Sequence, residues 1–316
     1  MTYLVGIDGG GSYVRVAITS LALEVLAQAE GGTVNPSVVG REAAAALIQK
    51  VLRSALEQAG LTADQIGAAG VGIAGASATY AGDWLREVIR PVVPEAFIAL
   101  SSDVEIALVG AHGARYGVLV LAGTGSVALG IDASGCTARA GGWGYLLGDE
   151  GSGYWIGLEG LRAVMRAADG RGERSTLEQH LLAALELPDV QAVTLWLYRA
   201  EISRTREVAR LAPLVCQAAV DGDRVAGEIV DRAAAELALL CRAVIGQLGA
   251  SDLPIAFAGG LLVNPTPVRD RLCQRLGLSE APQPRYPPVI GAALLARLAL
   301  EGQGQRSGDF PAGGSA

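Results

Sequence analysis

The chain has 316 residues, 51% of them hydrophobic, and a net charge of −7 from 25 Lys and Arg against 32 Asp and Glu. That length can bury a large core and suits two domains better than one. The acidic balance and the absence of any Lys or Arg run argue against a nucleic-acid face. The single lysine, Lys50, lies in a helical stretch, which excludes a Walker A loop.

Four cysteines, Cys136, Cys216, Cys241 and Cys273, are too scattered for a zinc or iron–sulfur spacing motif and are expected reduced and buried. His112 and His180 are the only histidines, so a His-based metal site is not expected. The longest apolar stretch, near 232–250, carries Glu236 and Arg242 with helical period and is a core helix rather than a membrane span. The N-terminus enters a buried strand within four residues and has no basic leader. A cytoplasmic enzyme with no membrane partner is expected.

In chain order, Leu4–Asp8 is a predicted strand, the glycines of "GIDGGGS" a turn, and Tyr13–Thr19 an antiparallel return strand. "NPS" at 35–37 leads into a helix over Arg41–Ala59 that Gly60 ends. Strands follow at Ala68–Ile73 and Phe97–Leu100, with a short helix at Trp84–Ile89 between them. A helix near Val104–Ala111 comes next. Then "GVLVLAGTGSVALGID", residues 117–132, repeats the opening layout of apolar strand, glycine turn and alternating strand. Helices are expected at about 152–168, 175–186, 223–249 and 265–275. "PIAFAGGLL" is a strand with a glycine turn, "PPVIGAALLARLAL" a closing helix, and 302–316 a flexible Gly/Ser-rich tail. Alternation of strand and helix predicts an α/β architecture.

Chemistry is expected at the glycine turns. Gly9, Gly10 and Gly11 let backbone N–H groups approach a phosphate, and Ser12 adds a hydroxyl. Asp8 beside phosphate requires a cation between them, which suits Mg2+ held through water on ATP. Gly123, Thr124, Gly125 and Ser126 form the second turn. Its "GTGSVA" matches a dinucleotide fingerprint, but that motif must open a helix and this one returns as a strand. Two such hairpins can grip a nucleotide's phosphates from both sides. In "FAGGLLVNP", Gly259, Gly260 and Asn264 are candidates for the adenosine. The same stretch also fits a plain βα turn with Asn264 as cap before Pro265.

A kinase needs a carboxylate to take the proton of the attacking hydroxyl. Asp103, in "SSDVEIAL", stands where a strand meets a helix N-terminus, which favours its charged form. It can equally cap that helix with Ser101 and Ser102. Glu105 is the fallback and is expected to face solvent. "GGWGYLLGDEGSGYWIG" holds six glycines in residues 141–153, dense enough in entropy cost to suggest a binding loop running into a helix at Ser152. Trp143 can wall a sugar ring and Asp149 can accept from ring hydroxyls. Tyr154 and Trp155 are expected in helix packing.

These turns in this order resemble the actin/hexokinase/Hsp70 superfold. "GIDGGGS", "LAGTGS" and above all "GGWGYLLGDEGSGYWIG" resemble its N-acetylglucosamine kinase branch, the BadF/BadG/BcrA/BcrD ATPase family, over about Leu4–Leu300. The resemblance implies two duplicated α/β domains around an ATP cleft. Residues 1–104 with helix 289–301 would form the first, and 105–288 the second. It also implies Asp103 as general base and substrate contacts from Asn35, Asp103, Ser126, Val127, Gly142, Trp143, Gly144 and Asp149. Ser126 and Val127 would lie at the sugar's 2-substituent. A homodimer is implied by the family. The expected function is ATP-dependent phosphorylation of the 6-hydroxyl of N-acetylglucosamine. Glucosamine is the alternative acceptor, although no extra carboxylate near Ser126 awaits its ammonium. An activator ATPase of a dehydratase or reductase system ranks lower, because its paired cluster cysteines are missing. A sensor or kinase-type repressor lacks its DNA-binding helix pair.

Overall fold

A computed structural model describes residues 2–10, 13–74, 78–198, 204–250 and 252–302. The chain divides into two compact units, Met1–Tyr116 with Pro284–Ala316, and Gly117–Gln283.

The first unit is built on strands β1 (Tyr3–Gly9), β2 (Val14–Thr19) and β3 (Val25–Gly31), then helices α1 (Pro36–Val39) and α2 (Arg41–Ala59). Strand β4 (Ile66–Ile73), helix α3 (Ala78–Ile89), strand β5 (Phe97–Ser101) and helix α4 (Asp103–His112) complete its N-terminal part. The sheet order is β3-β2-β1-β4-β5, with β1 antiparallel to β2 and parallel to β4. Apolar residues drive this. Leu4, Val5 and Ile7 of β1 are fully buried, and α2 lays Ala44, Ile48, Val51, Leu52 and Ala55 on the sheet at helical spacing. Gly60, at φ +66°, closes α2.

The last helix, α13 (Pro288–Gly302), belongs to this unit and packs on β1, β4 and α4. The approach is backbone to backbone. A Cβ at Gly70 would fall 1.8 Å from the Ala292 carbonyl oxygen, and one at Gly6 2.0 Å from that of Val289. Only glycine in the strands lets α13 seat this closely.

The second unit opens with strands β6 (Gly117–Ala122), β7 (Ser126–Ile131) and β8 (Thr137–Gly141). Helices α5 (Gly153–Ala168), α6 (Leu177–Ala184), α7 (Val190–Tyr198), α8 (Arg204–Ala209), α9 (Ala212–Val220) and α10 (Arg224–Leu248) follow. Strand β9 (Ile255–Ala258) and helices α11 (Gly260–Val263) and α12 (Pro267–Leu276) end it. Its sheet order, β8-β7-β6-β9, repeats the first four positions of the other sheet, with the same antiparallel and parallel pairings. The chain therefore has the duplicated α/β plan of the actin-like ATPase fold. The core of this unit is helical as much as β: Ile156, Val215, Leu237 and Phe257 pack in one cluster.

Several expectations need correcting. The first unit runs to Tyr116 and resumes at Pro284, rather than breaking at 104/105 and 288/289, because α4 packs against α13. Strands β3 and β8 and helices α7 to α9 were not anticipated. Cys136 is exposed, whereas Cys216, Cys241 and Cys273 are buried. Of the expected tail, 303–316 lie outside the described residues. No helix among the described residues is long and apolar enough to cross a membrane.

Candidate functional site

In the first unit, two carboxylates sit at the C-terminal ends of parallel strands, where open α/β sheets place their ligands. Asp8 is the penultimate residue of β1 and only 9% exposed. Asp103 follows β5 as the first residue of α4. The N-cap is Ser102, whose side chain accepts the Glu105 N–H at 3.1 Å. Ser102, not Asp103, is therefore the N-cap of α4. Strand β4 lies between β1 and β5. It allows α4 close because a Cβ at Gly72, the residue paired with Asp8, would meet Ile106 and the Ser102 carbonyl at 2.7 Å.

The electrostatics record this proximity. Burial, and then the negative charge of Asp103, push the Asp8 carboxyl up to about 6, with Arg15 opposing. Arg15 lies opposite Asp8 in the β1–β2 register, and its guanidinium stacks 4.1 Å from the Tyr13 ring centroid. Arg15 belongs to no sequence motif; its place in the return strand sets it opposite Asp8.

The turn itself is partly described. The Gly10 N–H donates to the Tyr13 carbonyl at 2.9 Å, and the Ala74 N–H donates to the Gly9 carbonyl at 2.7 Å. Gly11 and Ser12 lie outside the described residues. Asn35 precedes α1. Its N–H donates to Thr33 Oγ1 at 3.2 Å, and its carbonyl accepts from Val38 N–H and Val39 N–H. Glu105 does not face solvent as expected: it accepts from Ser101 Oγ at 2.9 Å and pairs with Arg115 at 2.6 Å.

In the second unit, the Gly123–Gly125 turn and the Gly141–Gly157 segment form one structure. The Gly153 N–H donates to the Gly123 carbonyl at 2.8 Å, and the Tyr154 N–H to that of Thr124 at 3.2 Å. Gly142 N–H donates to the Ser126 carbonyl at 2.9 Å. Ser126 N–H donates to Asp149 Oδ1 at 3.1 Å, while Ser126 Oγ donates to the Glu150 carbonyl at 2.7 Å. A Cβ at Gly125 would stand 2.9 Å from both Asp149 carboxylate oxygens, so only glycine fits. Asp149 itself has φ +61°, uncommon outside glycine. Burial is the largest influence on its carboxyl, raising its pKa above the ordinary value against the Ser126 hydrogen bond.

Ser126 and Val127 are both buried. Gly142 and Gly144 both have positive φ. Trp143, between them, is 74% exposed, so it is available to a ligand rather than held in the core. Ser152 caps α5 by accepting Trp155 N–H at 3.2 Å, and Tyr154 and Trp155 pack against the core as expected.

A cavity of about 500 Å3 in this unit brings Gly123 and Thr124 of the hairpin together with Gly260 and Asn264 of the third turn. Gly259, at φ +83°, starts that turn, and Asn264 Nδ2 donates to the Gly260 carbonyl at 2.9 Å. The volume falls in the range of small-ligand sites. Arg206 and Arg210, beyond any sequence motif, also line it.

The family model described as BadF/BadG/BcrA/BcrD ATPase family matches residues 5–296. An N-acetylmuramic acid/N-acetylglucosamine kinase of Clostridium acetobutylicum is 33% identical, over 94% of this chain and 99% of its own length. An N-acetyl-D-glucosamine kinase of Dictyostelium discoideum is 31% identical over 92% and 97%. Among solved structures, a candidate N-acetylglucosamine kinase from Chromobacterium violaceum superposes with TM-score 0.77 at 33% identity, covering 94% of this chain and 99% of that one.

Proposed function

We propose that this chain, which belongs to the BadF/BadG/BcrA/BcrD ATPase family, is an ATP-dependent amino-sugar kinase. In this reading it transfers the γ-phosphoryl group of ATP to the 6-hydroxyl of N-acetylglucosamine. The observation that carries the reading is the placement of Asp8 and Asp103 at the C-terminal ends of β1 and β5 in one sheet, with a glycine turn directly after Asp8. Similarity to amino-sugar kinases along nearly the whole chain supports it.

The roles follow from the chemistry. Asp103 accepts the proton of the sugar hydroxyl as that oxygen attacks the γ-phosphorus and ADP leaves. The backbone N–H groups of the Gly9–Ser12 and Gly123–Gly125 turns hold phosphate oxygens. The 500 Å3 cavity takes the adenosine, against Gly259, Gly260 and Asn264. Gly142, Trp143, Gly144 and Asp149, with Asn35, Ser126 and Val127, contact or shape the sugar site.

A divalent cation fits the donor set. Burial first, and then the charge of Asp103, disfavour the charged form of Asp8; a cation would offset both, and Asp8 would hold Mg2+ through water. When bound, Mg2+ neutralises charge on the β- and γ-phosphates.

N-acetylglucosamine is favoured over glucosamine because the relatives matched over nearly their whole length are named as N-acetylglucosamine kinases. A coupled ADP-release assay with both sugars tests the reading. Turnover on N-acetylglucosamine is expected, and no ATP turnover with either sugar would overturn it.

A further inference from the structure

The cavity of the second unit has a charge pattern that the glycine turns do not explain. The chain carries −7 overall, yet among the described residues no acidic side chain lines this cavity and two arginines do. Its other polar side chains are largely committed. Thr266 Oγ1 donates to the Leu261 carbonyl at 2.6 Å and accepts Arg269 N–H at 3.1 Å. Asn264 Nδ2 is bound to the Gly260 carbonyl. Burial pushes the Cys216 thiol up to about 11, so it stays neutral near pH 7. Ala209, Ala212, Pro213 and Leu261 give apolar wall suited to a flat ring.

The two arginines differ. Arg210 is engaged by Glu207 at 3.1 Å. Arg206, on α8, is exposed and forms no ion pair among the described residues. A cation on the rim of a cavity whose described lining holds no acid, sharing that cavity with Gly123 and Thr124, is placed for an anion. Neither glycine turn carries a lysine, and Lys50 lies in α2.

We infer that Arg206 binds the phosphate chain of the donor nucleotide, so that this cavity selects nucleoside di- and triphosphates over the nucleoside. The inference rests on the kinase reading for the identity of the donor, and on the cavity for its own content. Arg206 adds affinity for charge; the apolar wall holds the ring.

The test is calorimetric titration of ATP, ADP and adenosine into wild type, Arg206→Gln, Arg206→Lys and, as a control for loss of one positive charge, Arg53→Gln on α2. Arg206→Gln is expected to weaken ATP and ADP about tenfold, the worth of one charge-assisted hydrogen bond. Adenosine should hold within about twofold, since its contacts are apolar. Arg206→Lys should recover most of the loss, and Arg53→Gln should behave as wild type. In rate assays, KM for ATP should rise by the same factor with kcat nearly unchanged. ATP affinity unaffected by Arg206→Gln, or adenosine falling in step with ATP, would overturn the inference. Wild type that binds ATP yet phosphorylates no amino sugar would contradict the kinase reading alone. Wild type that binds no ATP would contradict both.

Discussion

Asp149 Oδ1 accepts the backbone N–H of Ser126 at 3.1 Å, joining a glycine-rich segment to a glycine hairpin 23 residues earlier. In the proposed kinase, both ends of that bond lie in the sugar site, and the hairpin that Ser126 continues holds the phosphates through Gly123–Gly125. One carboxylate thus fixes the relative position of these two pieces of backbone.

Asp149→Ala should therefore harm the fold as well as the activity. It removes a buried hydrogen bond and leaves a non-glycine residue at positive φ without its compensation. A loss of about 2–3 kcal/mol is expected. Asp149→Asn keeps an acceptor and tolerates the left-handed region, and should cost less than about 1 kcal/mol. Urea unfolding of both variants measures the difference.

Asp103→Asn should keep the fold and nucleotide affinity while lowering kcat. Loss of a general base costs about 10^2- to 10^4-fold. Steady-state rates beside an ATP titration separate the two effects. Unchanged turnover would remove Asp103 from the chemistry.

Asp8 gives the apoprotein a pH signature. Its carboxyl titrates at about 6 in the folded chain against 3.8 unfolded. The folded state therefore binds more protons than the unfolded state between those values, and stability falls as pH rises through that window. The cost of charging Asp8 is about 3 kcal/mol. Asp8→Asn should flatten this slope in urea midpoints taken between pH 4 and 7. It should also reduce activity, because the proposed cation would lose its carboxylate.

Two glycines should respond in opposite directions. Gly70→Ala drives a methyl group into the Ala292 carbonyl, and helix α13 must lift from the sheet. Loss of more than about 3 kcal/mol, or failure to fold, is expected. Gly246, inside α10, has nothing within 4 Å of its Cβ position. Gly246→Ala should stabilise by about 0.5–1 kcal/mol through helix propensity. Thermal unfolding of the two variants reads both signs.

Much of this was legible in the sequence because the information was local. The β1–β2 and β6–β7 hairpins announce themselves as apolar run, glycine turn and alternating run, and their repetition predicts the matched sheets. Helix α2 begins and ends where its period and Gly60 place it. Strands β3 and β8 were missed because "VLAQAEG" and "TARAG" carry no apolar run; backbone pairing to the neighbouring strand defines them. The site divides in the same way. Asp8 and Asp103 stand at strand ends that sequence can locate. The Asp149–Ser126 bond depends on a positive φ and a fold-back that no spacing encodes. Arg206 lies in a charged stretch with no motif, and only the cavity reveals it.

The most direct measurement is the product itself. Protein incubated with ATP, Mg2+ and N-acetylglucosamine should yield ADP and a sugar phosphate whose phosphorus couples to the C6 protons in NMR, and Asp103→Asn should yield almost none. Wild-type protein that leaves the sugar unmodified, or that phosphorylates a different position, would contradict the account.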